Sequence, residues 1–211
     1  YTHFHSADVE GDDSTAEQWQ RFCEALETLV GGGVGLVHAC NGAAALRYPF
    51  LAADAVRPGI FLYGGAVGVG VAPPDEVVQL RAPVTLIREV PEGTTLGYGA
   101  TYRARESERW ATLGIGYGDG LPRILGNRGS ALLRGRRVPI VGRISMDMTV
   151  VDISGIDGVV VGDTATLIGT DGEARITVDE VAVQAGTISN EILTGLTSRL
   201  PRIRTGAGGD R

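Results

Sequence analysis

The hydrophobic pattern changes character once along this chain, at Val71-Ala72-Pro73-Pro74-Asp75, and that change governs what the chain can fold into. Before it, apolar residues recur at helical spacing and alternate with short apolar runs. Ser14-Thr15-Ala16-Glu17 reads as a capping box opening a helix to Val30, with Trp19, Phe22, Cys23, Leu26 and Leu29 on its apolar face. Gly31-Gly32-Gly33 ends it, residues 34–39 read as a buried parallel strand, and a second helix follows Asn41-Gly42. Such strand–helix units belong to a larger α/β array, and a full eightfold barrel needs about 250 residues. Residues 1–75 are therefore expected to be only part of one.

Beyond residue 75 the runs have strand length: 83–90, 108–115, 131–141, 146–153 and 163–169, parted by turns such as Asp157-Gly158 and Asp171-Gly172. Residues 76–211 thus read as a mostly antiparallel β domain. A short helical tail follows, with Thr177 opening one helix, Gly186 breaking it and residues 188–196 forming another. The glycine-rich residues 205–211 are expected to fray. The fold class is α/β plus mainly-β.

All 19 basic residues are arginine, so no side-chain amine is available for covalent or P-loop chemistry. The net charge of −6 argues against nucleic acid, which needs a basic face. No apolar run approaches the roughly 20 residues of a membrane span. Cys23 and Cys40 make a poor disulfide framework and read as reduced thiols of a cytosolic protein. Tyr1-Thr2-His3-Phe4-His5 has neither a basic nor an apolar leader region and reads as a cut within a longer protein.

Four segments could carry chemistry. Tyr98 stands between Gly97 and Gly99, which leave a phenol sterically bare, as an acid or base needs; a β-turn with a packing tyrosine fits the same pattern. Tyr117 lies in a second glycine-rich turn, Gly114-Ile115-Gly116-Tyr117-Gly118-Asp119-Gly120. Arg143-Ile144-Ser145-Met146-Asp147 offers either a structural ion pair or a carboxylate-recognising site. Arg57-Pro58-Gly59-Ile60 is a strand-end turn whose N–H groups suit a phosphate, or simply connects two elements. His3, His5 and His38 lack metal-ligand spacing, and no metal is expected.

Together with Tyr1-Thr2-His3-Phe4 and His38-Ala39-Cys40-Asn41, these segments resemble, in order and approximate spacing to about Ile203, the motifs of bacterial alanine racemase. The resemblance implies a (β/α)8 barrel holding pyridoxal phosphate, followed by a β domain; this chain would hold the last barrel strands and the whole β domain. It implies racemisation of L- and D-alanine by two bases, supplying D-alanine for peptidoglycan in the cytoplasm. Tyr98 would be one base, helped by a chain through His3 to Arg57, whose guanidinium would meet the cofactor's ring nitrogen. Asn41, Gly42, Gly59 and Ile60 would embrace the phosphate. Tyr117, Met146 and Asp147 would lie at the substrate end, and a head-to-tail homodimer would complete each site.

Three departures from the family pattern stand out. The cofactor-holding lysine and a phosphate-side tyrosine would lie before Tyr1. Gly42 replaces a serine, and Asn190, in Thr187-Ile188-Ser189-Asn190-Glu191, replaces a tyrosine. The smaller Asn190 would enlarge the pocket beside the substrate side chain, letting serine or a slightly larger amino acid compete with alanine. The absent lysine also suits a catalytically silent β-domain fragment that only associates. A related decarboxylase of basic amino acids fits less well, its β-domain cysteine motif not being evident.

Overall fold

The computed structural model describes residues 1–29, 32 and 35–206. The chain divides into two compact units, Tyr1–Val77 and Val78–Arg211.

In the first unit, helix α1 (Ser14–Glu27) buries Trp19 and Phe22 partly against a small core of Phe4, Ala7, Ala39, Cys40, Ala43, Ala44, Leu51 and Val67. Its start differs from the expected capping box. Asp13 is the N-cap, Asp12 Oδ1 accepts the Ser14 N–H at 2.7 Å, and Ser14 is already helical with its hydroxyl buried and without a partner among the described residues. The helix also ends early, at Thr28, leaving Leu29 exposed. Gly31, Gly33 and Val34, expected to end the helix and begin a strand, lie outside the described residues.

Strand β1 (His38–Asn41) pairs in parallel with β2 (Ala55–Arg57), aligning His38 with Ala55 and Asn41 with Arg57. The strand expected from residue 34 starts only at His38, because Val37 is tied to Asp54 by two hydrogen bonds (3.0 and 2.8 Å) just ahead of the ladder. Helix α2 (Gly42–Arg47) follows β1 directly, with Asn41 Oδ1 capping the Ala44 N–H at 3.0 Å. Both cysteines are free, and the buried Cys40 thiol donates to the Leu51 carbonyl at 3.2 Å.

The second unit is built on strands β3 (Leu80–Val90), β4 (Thr95–Leu96), β5 (Tyr102–Arg103), β6 (Glu108–Leu113), β7 (Ser130–Leu133), β8 (Arg136–Val141), β9 (Thr149–Asp152), β10 (Thr164–Asp171) and β11 (Ala174–Ile176). Seven of them run in the order β11-β10-β3-β6-β9-β8-β7, each pair antiparallel. A further pairing, Thr166 to Leu132, joins β10 to β7 and closes the sheet on itself. Leu113, Leu132, Leu133, Val151, Ile153 and Leu167 belong to its buried hydrophobic core. Strands β4 and β5 form a separate two-stranded ribbon.

The apolar run 131–141 is two strands, not one. Arg134 and Gly135 both take positive φ (52° and 72°), the backbone of a tight hairpin turn whose twist matches the flanking strands. Likewise β9 begins at Thr149, because the Ser145 N–H donates to the Met148 carbonyl at 2.9 Å and folds residues 145–148 into a bend. Helix α3 (Val178–Ala185) is capped by Thr177, whose hydroxyl accepts the Glu180 N–H at 3.0 Å, and stops at Gly186 with φ 71°. Helix α4 (Ser189–Gly195) completes the tail; residues 207–211, expected to fray, lie outside the described residues. Among the described residues, no helix is long and apolar enough to cross a membrane.

Candidate active site

Arg57 organises the first unit. At the end of β2 its guanidinium donates from Nη2 to the carbonyls of Thr2 (2.9 Å) and Ala39 (3.1 Å), with His3 Nδ1 at 3.2 Å. Its Nη1 lies 2.5 Å from His38 Nδ1. Arginine has only donors, so the His38 Nδ1 that faces Nη1 accepts through its lone pair. Tyr1 stacks on His38 (5.3 Å) and lies under the guanidinium (5.4 Å). The sequence offered His3 and Arg57 but not His38 as partners; the parallel register of β1 and β2 brings His38 beside Arg57, and no sequence spacing signals that. Among the described residues no three His, Cys, Asp or Glu side chains are grouped to hold a metal ion.

Asn41, Gly42, Gly59 and Ile60 gather beside this network. Asn41 Nδ2 donates to the Phe4 carbonyl at 3.0 Å and lies 3.5 Å from His3 Nε2. Gly42 is buried, and a Cβ there would make ordinary contacts with Val67 Cγ1 at 3.4 Å and Gly59 N at 3.9 Å. Gly59 precedes the 3-10 turn Ile60–Tyr63, whose first intrahelical bond is Leu62 N–H to Gly59 O. The N–H groups of Ile60 and Phe61 come before that bond and have no intrahelical acceptor, and a Cβ on Gly59 would point into open space. A cationic donor at one end and backbone N–H donors at the other fit a planar nitrogen heterocycle bearing a phosphate. Arg57 Nε–H remains without a protein acceptor among the described residues, as a ring-nitrogen partner requires.

The second unit carries the tyrosines. Tyr98 opens a 3-10 turn in which Gly97, Gly99 and Ala100 all have positive φ (68°, 72° and 46°). It is 70% exposed, so it is not the packing tyrosine of an ordinary turn. Two anchors hold the turn. Asn127 bridges it to the neighbouring strand, its Nδ2 donating to the Thr101 carbonyl and hydroxyl (3.3 and 3.2 Å) and its Oδ1 accepting the Gly142 N–H at 2.6 Å. On the other side, the buried Glu108 carboxylate accepts the Tyr102 hydroxyl (3.0 and 3.1 Å), the Trp110 indole N–H (2.7 Å) and the Arg105 N–H (2.8 Å). Burial opposes the charge on Glu108, but these donors outweigh it and hold its pKa below the usual carboxylate range. Burial, reinforced by Glu108, pushes Tyr102 up to about 12.

Tyr117 lies in the 3-10 turn Tyr117–Asp119, tied to the Ser145–Asp147 bend by Tyr117 N–H to Ser145 O (2.9 Å) and Gly118 N–H to Met146 O (2.8 Å). Tyr117, Met146 and Asp147 therefore form one patch. The Arg143–Asp147 ion pair that the sequence allows does not form. Asp147 pairs with Arg199 instead, and the exposed Arg143 guanidinium sits where a Cβ on Gly99 would meet its Nη1 at 3.1 Å. Asn190 is exposed on the first turn of α4, its carbonyl accepting the Thr194 hydroxyl at 2.7 Å.

Residues 77–204 match the family model described as alanine racemase, C-terminal domain, and residues 1–67 match alanine racemase, N-terminal domain. The chain is 39% identical over 209 residues to the alanine racemase of Halothermothrix orenii, covering 95% of this chain and 54% of the relative. It is similar to the crystal structure of alanine racemase from Bacillus anthracis with bound L-Ala-P, with a TM-score of 0.89 and 38% identity over 98% of this chain and 55% of that one. The alanine racemase of Bartonella henselae with covalently bound pyridoxal phosphate gives a TM-score of 0.85 at 34% identity, over 95% and 55% of the two chains. The chain thus spans about half the length of the relatives it matches.

Proposed function

Because this chain belongs to the alanine racemase family, we propose that it serves as the tyrosine-bearing part of a pyridoxal-phosphate-dependent enzyme that interconverts L- and D-alanine. The single observation that carries the reading is Arg57 held between His3 and His38 beside an N–H-lined cradle. In this reading residues 1–75 hold the last strands of the cofactor-binding (β/α)8 barrel, and residues 76–211 form the β domain.

Pyridoxal phosphate, when bound, makes the substrate α-proton acidic by drawing electrons from the α-carbon. Arg57 would hold the cofactor's ring nitrogen, and its guanidinium, which only donates, would leave that nitrogen unprotonated and the cofactor a milder electron sink. Asn41, Gly42, Gly59 and Ile60 would hold the phosphate. Tyr98 takes or returns the α-proton on one face. A phenol needs help to act as a base near neutrality, and in the family reading that help would run through His3 to Arg57, which lie together in the first unit. Tyr117, Met146 and Asp147 would bound the substrate end. None of the 211 residues is lysine, so the second base and cofactor-holding amine come from outside them. A head-to-tail homodimer, each β domain completing the other site, accords with this division of labour, as does a cytoplasmic role supplying D-alanine to peptidoglycan.

The test is racemisation of L-alanine in deuterium oxide by the cofactor-loaded enzyme that contains this chain and the lysine. D-Alanine carrying α-deuterium is expected; a loaded enzyme that leaves L-alanine unchanged would overturn the reading. The 211-residue chain alone should give no borohydride-trapped cofactor adduct on any side chain, and peptide mapping checks this. Asn190→Tyr in the loaded enzyme should shift the alanine-to-serine ratio of kcat/KM toward alanine by about tenfold, the scale of a filled methylene-sized space. An unchanged ratio would remove Asn190 from the substrate pocket.

A further inference from the structure

We propose that Arg199 is a positioning residue that sets the geometry of Tyr117, Met146 and Asp147 for substrate binding; the proposal rests on the racemase reading above. Three separate segments meet at its guanidinium. Its Nε lies 3.2 Å from Asp119 Oδ1, and its Nη2 pairs with Asp147 Oδ1. Asp119 is itself buried and fixed, its Oδ2 accepting the Gly116 N–H at 2.9 Å at the start of the Tyr117 turn. The guanidinium therefore spans a fixed carboxylate inside the tyrosine turn and an exposed one on the Met146 bend. A planar fork can serve both carboxylates at once; a lysine ammonium, a point charge, cannot reproduce that fork.

The chain that carries Arg199 is strapped over the same turn. The Thr197 N–H donates to Asp119 O at 3.0 Å, and the Thr197 hydroxyl donates to Gly118 O at 3.1 Å. Gly118 and Gly120 are glycines because the strap comes so close: a Cβ on Gly118 would overlap Arg199 Nη1, and one on Gly120 would overlap the Gly195 carbonyl oxygen. Arg202 donates back to the carbonyls of Leu196 (3.1 Å) and Thr197 (3.2 Å), holding the strap where it leaves α4. An exposed Arg–Asp pair contributes little to stability on its own, since solvent screens it. What the arrangement supplies is registration of the tyrosine turn against the bend. It also neutralises Asp147, whose free carboxylate would repel the carboxylate of an amino-acid substrate.

Arg199→Gln, Arg199→Lys and Asp147→Asn in the loaded enzyme test this, read by hydrogen exchange and by kinetics. Arg199→Gln should speed amide exchange at Tyr117 and Gly118 by about tenfold or more while leaving β6 unchanged. It should raise KM for alanine about tenfold with kcat within about threefold, the pattern of lost substrate binding with intact chemistry. Arg199→Lys should fall between wild type and Arg199→Gln. Adding Asp147→Asn to Arg199→Gln should raise KM less than the two single effects combined, because the two residues act through one contact. Unchanged exchange at Tyr117, exchange rising equally over the whole unit, or loss of kcat with KM unchanged would each overturn the proposal. An inert wild-type enzyme would instead refute the racemase reading, and the local exchange result would still decide whether Arg199 clamps the turn.

Discussion

Tyr98→Phe in the loaded enzyme is expected to lower alanine racemisation about a thousandfold, within the ~10²–10⁴ range for removal of a general base. The phenol is 70% exposed and its hydroxyl makes no hydrogen bond among the described residues, so the denaturant midpoint should not move. That combination separates chemistry from folding. The enantiomers of alanine have equal free energy, so kcat/KM must fall equally in both directions of racemisation. Exchange of the α-proton with deuterium oxide need not fall equally. It should be lost for the enantiomer whose proton faces Tyr98 and kept for the one whose proton faces the other base. Equal retention for both enantiomers would remove Tyr98 from the reaction.

Glu108→Ala should give the largest loss of stability, about 3–5 kcal/mol, as expected when a buried charged group is removed from its partners. The Tyr102 hydroxyl, the Trp110 indole and the Arg105 N–H would all lose their acceptor at once, around an indole only 2% exposed. The Tyr98 turn lies between the two strands of the ribbon that Tyr102 anchors, so activity should fall with stability. The pH dependence follows from the two shifted groups. Glu108 is depressed in the fold, so its contribution is complete above the ordinary carboxylate pKa and is lost as pH falls through the lower folded value. Tyr102 is raised to about 12, so its contribution is complete below about pH 10 and is lost as pH climbs toward 12. Glu108→Ala should flatten the acid slope, and a tyrosine absorbance titration should find the late-ionising phenol moved back toward 10. Unfolding curves that match wild type at both pH extremes would contradict this account of the network.

The glycines around Tyr98 and Tyr117 mark both turns in the sequence, because positive φ and close backbone approach leave few other residue choices. Glu108 gives no such signal: in the sequence it is only the first residue of the strand-length run 108–115, and its carboxylate is enclosed through contacts with Tyr102 and Trp110 that form in the fold. The hairpin at Arg134-Gly135 was hidden for a related reason: arginines inside an apolar run look like solvent-facing positions of one strand. His38 and Arg199 are invisible to spacing altogether, since each meets its partner only through register or a strap set by tertiary structure. Asp119, by contrast, stands inside a motif already conspicuous for Tyr117, and its buried carboxylate follows once that turn is built.

The bridge that closes the sheet in the second unit has a consequence during synthesis. Thr164 pairs with Pro83, eighty-one positions earlier, and Thr166 pairs with Leu132. Strand β3 therefore leaves the ribosome long before its neighbour β10 exists, with one edge unpaired and Leu80, Ala82 and Val84 without their final packing. Such non-local pairing makes folding slow and exposes the nascent strand to other chains. Overexpression should therefore favour aggregation of unfinished chains, while in the completed unit β3 is covered on both sides by β10 and β6.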